Sequence, residues 1–426
     1  MKKIMNLYES CKTPIRVAFF GFILISFGFL VQNESVNVFY TFRSSIILFL
    51  AELSLKIGEF IIMNLPLIFM LNIVCKKANN ASPVVLALVG YFTFVVTTML
   101  FSTQSLNAQA YSSGYGINSV FNSVSGNRLP LETGMIGCIL VAYATRLSFI
   151  LSRHRGNYSL ANFFSRDTAG LIYNFFFCFI LGLAASYVFP FFYAYLQRII
   201  TFIGSDLLDP LKIALYSILD RVLSILGLGN DIRYPFWYTS AGGSFSNSLT
   251  GQSVLGDVNI WTYLKNSSAV YVGAGRFITP FYVINMFIIP ACYLGTLLSM
   301  SDRNDRSALI LEFVFAILLS IFAGNPLPSE LLMFATSPIL LLFYLAIVGI
   351  SSAVLVNFEA FLGFSSKISN TVVAMPGSFA DFIINVRNSS LLSSIRIILL
   401  VGLVGFVLMF FMTMFYYRFL AFDFVK

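Results

Sequence analysis

Long apolar runs separated by short polar breaks dominate the chain. They fall at about 14–31, 46–75, 83–101, 132–151, 169–196, 278–300, 307–323, 331–356 and 394–417. Most supply the roughly twenty predominantly apolar residues that a helix needs to cross a hydrocarbon core of about 30 Å. Strands of a membrane barrel would instead alternate apolar and polar positions over about ten residues. The pattern predicts an all-α polytopic membrane protein. Between 199 and 228 the rhythm changes, because Asp206, Asp209, Lys212, Asp220 and Arg221 interrupt apolar positions. That mixture predicts an amphipathic helix, lying at the interface or packed inside the bundle. The polar stretches 102–128 and 238–270, both rich in Ser, Asn and Gly, read either as long loops of the kind that line substrate routes or as simple surface connections.

Two apolar runs are broken internally. Met63-Asn64-Leu65-Pro66 lies within the second run and predicts a kink, with the Asn64 amide either facing a cavity or bonded to a neighbour in a purely structural bend. Gly324-Asn325-Pro326-Leu327-Pro328-Ser329-Glu330 joins the seventh run to the eighth. Each of its prolines lacks a donor and clashes with the preceding turn. A carboxylate at the bilayer centre costs roughly 2.5–3.5 kcal/mol on insertion scales, and broken backbone survives at that depth only inside protein or along a wet cavity. The expectation is a polar site, with Glu330 facing a hydrated chamber. A helix-capping or ion-paired carboxylate is the structural alternative.

Composition removes other classes. Hydrophobic residues make up 58% of the chain and charged ones 10%, so 26 basic and 18 acidic side chains are too few to coat a separate aqueous domain. The net charge of +8 is read as topology and attraction to the bilayer surface, with no nucleic-acid partner. Lys2, Lys3, Lys12 and Arg16 assign the N-terminus to the cytoplasm. Lys76 and Lys77, then Arg153, Arg155 and Arg166, alternate correctly for single crossings. The five cysteines (Cys11, Cys75, Cys138, Cys178 and Cys292) have no paired spacing, and the single histidine, His154, sits in a basic loop. Neither a metal site nor a cofactor is expected. The first run begins near Pro14 without a small-residue cleavage site, which predicts a retained helix.

Several segments together resemble one family, the membrane (EIIC) permease domain of the bacterial phosphotransferase system, in its glucose/maltose/N-acetylglucosamine branch. GNPLPSELLMFATSP (Gly324 to Pro338) is similar to the family's GITEPIEF…AP signature, and NLPLIFMLNIV (Asn64 to Val74) to DNLPLLFAIGVA. LPLETGMIGCILV (Leu129 to Val141) resembles DTGVFGGIIVG, and RVLSILGLGNDIRYPFWY (Arg221 to Tyr238) resembles RLLIPFGLHHxxNxPFW. MFIIPAC (Met286 to Cys292) is similar to MFGLPAA, and GSFADFIINV (Gly377 to Val386) to the GLIDF run. All occur in family order.

The resemblance implies a single EIIC-like domain over 1–426, with about ten transmembrane helices and two re-entrant hairpins. Its expected parts are an N-terminal bundle (1–197), an amphipathic linking helix (198–230), a substrate-site region (231–393) and a C-terminal helix (394–426). It further implies a homodimer in the bacterial inner membrane that binds a sugar and carries it inward, with phosphorylation by separate EIIB and EIIA proteins. The chain departs from the pattern at the centre. The histidine pair of GLHH falls on Gly229 and Asn230, and the glutamate of GITE falls on Leu327, while Glu330 keeps the second glutamate. Glu330, Asn230, Asn64, Arg233 and Trp237 are therefore the expected substrate-binding residues. Glu330 and the asparagines would bond hydroxyls, and Trp237 would cover an apolar sugar face. An interfacial aromatic belt is the other reading of Trp237 and Tyr238. Two other functions fit the departures: a non-phosphorylating transporter, sensor or interaction protein on the same scaffold, or a proton-coupled transporter using Glu330.

Overall fold

A computed structural model describes residues 2–32, 45–75, 82–102, 131–153, 166–246, 251, 253–267, 273–300, 303–364, 376–386 and 388–420. Most of the polar stretch 102–128, the basic pair Lys76 and Lys77, and His154 lie outside the described residues. The N-terminal half contains helices α1 (Lys2–Gln32), α2 (Ser45–Met63), α3 (Leu65–Cys75), α4 (Ser82–Phe101), α5 (Gly134–Arg153) and α6 (Arg166–Gly204). Two shorter helices follow, α7 (Pro210–Ile225) and α8 (Gly229–Tyr238), then a small antiparallel hairpin, β1 (Ser244–Ser246) with β2 (Ser253–Leu255). The remaining helices are α9 (Asp257–Ser267), α10 (Thr279–Val283), α11 (Ile289–Ser299), α12 (Arg303–Ala323), α13 (Leu327–Thr336), α14 (Pro338–Asn357), α15 (Phe379–Val386) and α16 (Leu392–Phe415).

Among the described residues, seven helical stretches are long and apolar enough to cross a membrane, and the bent pair α2–α3 brings the number to eight. Large apolar side chains such as Phe49, Phe176, Phe191, Leu342 and Phe411 point outward, which suits a lipid environment and no aqueous one. The chain is an all-α, multi-pass membrane protein. A one-turn π segment (Ile284–Ile288) joins α10 to α11 in one crossing, Thr279–Ser299.

The breaks fall where the sequence places them. The chain bends by 58° between α2 and α3 at Asn64; Pro66 follows immediately. Helix α12 ends at Ala323, Gly324 takes φ +64°, and α13 restarts at Leu327 with Pro328 in its first turn. Two features differ from expectation. Helix α6 runs unbroken through 197 and 198 to Gly204, so no boundary falls there; Asp209 and Pro210 start the next helix instead, with Asp209 Oδ1 accepting from Leu211 N at 2.9 Å. The polar stretch 238–270 is also more than a connection, because it forms the hairpin and α9. Asp257, at the start of α9, is buried and accepts from Gly275 N at 2.8 Å and Phe277 N at 3.1 Å.

Close packing in the N-terminal half depends on glycine. A Cβ at Gly28 of α1 would stand 2.5 Å from Ala51 O of α2, so these helices approach at a distance only small residues allow. Helix α7, the amphipathic segment, lies within the bundle against α14, and its Asp220 and Arg221 are both buried.

Candidate functional site

Four segments far apart in sequence meet around one cavity, with Tyr91 and Val95 of α4 completing the wall. They are the bend Ile62–Leu67, the start of α5 (Leu131–Met135), the turn between α7 and α8 (Ser224–Arg233), and the break Asn325–Leu331. The water-accessible volume is about 110 Å³. Main chain forms the frame. Leu226 O, left without a partner at the end of α7, accepts from Met135 N at 2.7 Å. Gly227 (φ +76°) and Gly134 (φ +51°) face each other across that bond, and a Cβ on Gly227 would touch Pro66 Cγ at 3.3 Å. Any larger residue at either position would be both strained and in contact with the opposing segment. Asn325 Oδ1 accepts from Leu327 N at 3.0 Å and so fixes the restart at α13.

Of the expected residues, Asn64, Asn230 and Arg233 line this cavity. The Asn64 amide donates to Phe60 O at 2.8 Å, which stabilises the bend. Arg233 presents its guanidinium at the wall while Nε donates to Asp220 Oδ1 at 2.6 Å and Nη2 to Ser224 Oγ at 2.8 Å. Gly229 and Leu327, at the positions where the family carries histidine and glutamate, also line it. Gly229 lies so close to Ser224 that a Cβ would stand 2.6 Å from its Oγ; this turn has closed around the missing side chain.

Glu330 and Trp237 are not on the cavity wall. Glu330 is fully buried, with Oε1 accepting from Tyr344 Oη at 2.6 Å and Arg221 Nη1 at 3.3 Å. Arg221 also donates to Asp220, through Nε at 3.0 Å and through Nη2. The result is a closed charge network of Asp220, Glu330, Arg221 and Arg233, roofed by Phe281, whose ring centroid lies 4.5 Å from the Arg221 guanidinium and 5.4 Å from that of Arg233. Contrary to expectation, Glu330 does not line the cavity: Arg221 and Tyr344 both bond its Oε1, while Oε2 is buried without a hydrogen-bond partner among the described residues. Trp237 is likewise fully buried and donates to Tyr216 Oη at 3.1 Å, in a cluster with Phe236, Phe277 and Phe281. It belongs to the core of the α7–α8 turn and lies neither in an interfacial belt nor on the cavity.

Glu132 and Asn325 are cavity residues that the sequence reading passed over. The signal for Glu132 was present: a carboxylate at the edge of the run 132–151 carries the same argument applied to Glu330. The wall as a whole combines amides (Asn64, Asn230, Asn325), one guanidinium, one carboxylate and apolar surface from Leu65, Val95, Leu131 and Leu331. Such a set can bond several hydroxyls while covering one apolar face.

No family model matches the chain. A curated relative, the "PTS system glucose-specific EIICBA component" of Staphylococcus saprophyticus, is 23% identical over 393 residues, covering 90% of this chain and 54% of the relative. This chain resembles an EIIC permease along nearly its whole length. It spans about half the length of that relative. Among solved structures, the transporter ChbC, the IIC component of the N,N'-diacetylchitobiose-specific phosphotransferase system, aligns at TM-score 0.38 and 13% identity, covering 97% of this chain and 93% of that one. The EIIC-like segments quoted from the sequence include the four that surround the cavity.

Proposed function

We propose that the protein is an EIIC-type permease that binds a sugar in the cavity between Asn64, Glu132, Asn230 and Asn325 and carries it inward across the bacterial inner membrane, with the N-terminus cytoplasmic. One observation carries the reading. The EIIC-like segments at 64–74, 129–141, 221–238 and 324–338, spread over most of the sequence, converge on a single polar cavity. A phosphorylating partner of EIIB type, itself charged by an EIIA protein, and a second copy of the chain complete the proposed assembly. Glu330 serves here as a brace. It holds Arg221 and, through Asp220, steadies Arg233 at the wall. Proton coupling through Glu330 has no support, since its carboxylate is paired with Arg221 and Tyr344.

Calorimetry of purified protein against hexoses, disaccharides and amino sugars tests the reading. At least one sugar should bind, and Asn230→Ala should weaken it by about tenfold, the loss of one or two hydrogen bonds to a buried ligand. If no sugar binds to folded protein, or if Asn230→Ala and Asn325→Ala leave affinity untouched, the cavity is not a sugar site. A specific observation keeps the non-phosphorylating alternative in view: all three family positions lacking their titratable side chains, Gly229, Asn230 and Leu327, lie on the cavity wall. Sugar-stimulated phosphate transfer from a phosphorylated EIIB protein distinguishes the two.

A further inference from the structure

Helices α14 and α16 run antiparallel, with Ser337 Oγ at the start of one 3.5 Å from Tyr417 Oη beyond the end of the other. Away from that contact lies a groove of about 330 Å³, lined almost wholly by apolar atoms. Ile347, Val354 and Phe358 form one side, and Ile397, Val401 and Leu408 the other. Its outer lips, Ile350, Phe358, Leu400 and Val404, are exposed. At the helical rise per residue, the groove extends roughly 16 Å along either helix. Residues 397–417 carry no charge and are bracketed by Arg396 and Arg418. In a helix they span roughly 32 Å, close to a hydrocarbon thickness of about 30 Å. The two arginines thus mark opposite membrane boundaries, and the groove fills the half next to Arg396. A spanning helix from a second copy would cross both leaflets, whereas this groove stops near the midplane at Ile347 and Leu408. Its length is that of one acyl chain.

The mouth of the groove carries both signs of charge. Arg396 is exposed and stands one turn before Leu400 and two before Val404 on the same helix face. It forms no ion pair among the described residues. Glu359, directly after Phe358 at the same end, is likewise exposed and in no ion pair among the described residues. Among the described non-glycine residues it alone has a positive φ, +49°. Glu359 N bonds Val356 O at 2.9 Å and Ala360 N bonds Leu355 O at 3.0 Å, a helix ending at which glycine is the unstrained choice. A glutamate held there despite the strain points to a use for its carboxylate.

We propose that the groove is a binding site for a phospholipid with an amino headgroup. One acyl chain lies between α14 and α16, Arg396 bonds the phosphate, and Glu359 takes the ammonium. The planar guanidinium suits phosphate oxygens through paired hydrogen bonds. A lipid with a phosphate but no amine would meet Glu359 as a like charge.

The test is native mass spectrometry of the purified full chain in detergent with equimolar phosphatidylethanolamine and phosphatidylglycerol. Phosphatidylethanolamine should be retained severalfold over phosphatidylglycerol. Arg396→Gln should weaken its retention by about tenfold, the scale of a hydrogen bond to a charged group. Glu359→Gln should erase the headgroup preference, and Val401→Trp, which fills the groove, should lower retention of both lipids. Arg418→Gln, at the opposite boundary, should change nothing. Melting curves show that each variant folds; if Val401→Trp does not, the two headgroup variants at exposed positions still decide. Equal losses in Arg396→Gln and Arg418→Gln, or equal retention of the two lipids by the unmodified chain, would overturn the proposal. Efficient disulfide formation between copies carrying Val404→Cys would also overturn it, by placing a second copy over the groove.

Discussion

The Glu330 carboxylate accepts from Arg221 and Tyr344 on one oxygen, and Asp220 accepts from both Arg221 and Arg233. Removing a single member leaves a buried charge uncompensated, which typically costs about 3–5 kcal/mol. Arg221→Met and Glu330→Gln should therefore lower the melting temperature of the detergent-solubilised protein, with loss of ligand binding following from that instability. Asn230→Ala should leave the melting temperature close to that of the unmodified protein. The contrast separates bracing from contact. Leu327 gives a complementary case. It is half-buried on the cavity wall, so Leu327→Glu should yield a folded protein with altered sugar affinity, read by the same melting curve and by calorimetry. At this level the sequence was only partly legible. A carboxylate in an apolar run reads the same at 132 and at 330; only the arginine and tyrosine opposite Glu330, brought from 109 and 14 positions away, tell a structural acid from one left open.

Helices were the most legible feature, because hydrophobic continuity and proline placement are local. The bend at Asn64 and the restart at Leu327 follow from that chemistry, and the last run, expected at 394–417, folds as Leu392–Phe415. Less legible were the continuation of α6 to Gly204 and the hairpin with α9 inside 238–270. In the first case, the boundary expected between 197 and 198 falls inside a helix that continues to Gly204. In the second, the organising contact is Asp257 on the amides of Gly275 and Phe277, a long-range bond without periodicity. Asp257→Ala should destabilise by about 1–3 kcal/mol by leaving those two buried amides unbonded, measurable as a shift in denaturation midpoint. Gly28→Leu should loosen the contact of α1 with α2, since its Cβ would lie 2.5 Å from Ala51 O. Overpacking of this kind costs typically about 1–3 kcal/mol, and increased proteolysis between the two helices would report it.

The molecule as a whole can be tested by its thiols. Among the described residues, Cys138, Cys178 and Cys292 are buried and Cys75 is exposed, and none of these four forms a disulfide. A small maleimide should label Cys75 in the native protein and reach Cys178 and Cys292 only after unfolding, as mass spectrometry would show. Cys138 lies on the cavity wall at 3% exposure, so its native labelling should be slow and slower still with a bound sugar; fast labelling indifferent to sugar would contradict the proposed site.

The contact of Leu226 with Met135, flanked by Gly227, Gly134 and Pro66, has a consequence for divergence. The vestibule is scaffolded by peptide groups, which every sequence possesses, so its shape persists when the side chains hung on it are exchanged. Ligand preference is then free to drift at positions such as 229, 230 and 327 without refolding the architecture, whereas the two glycines are held fast.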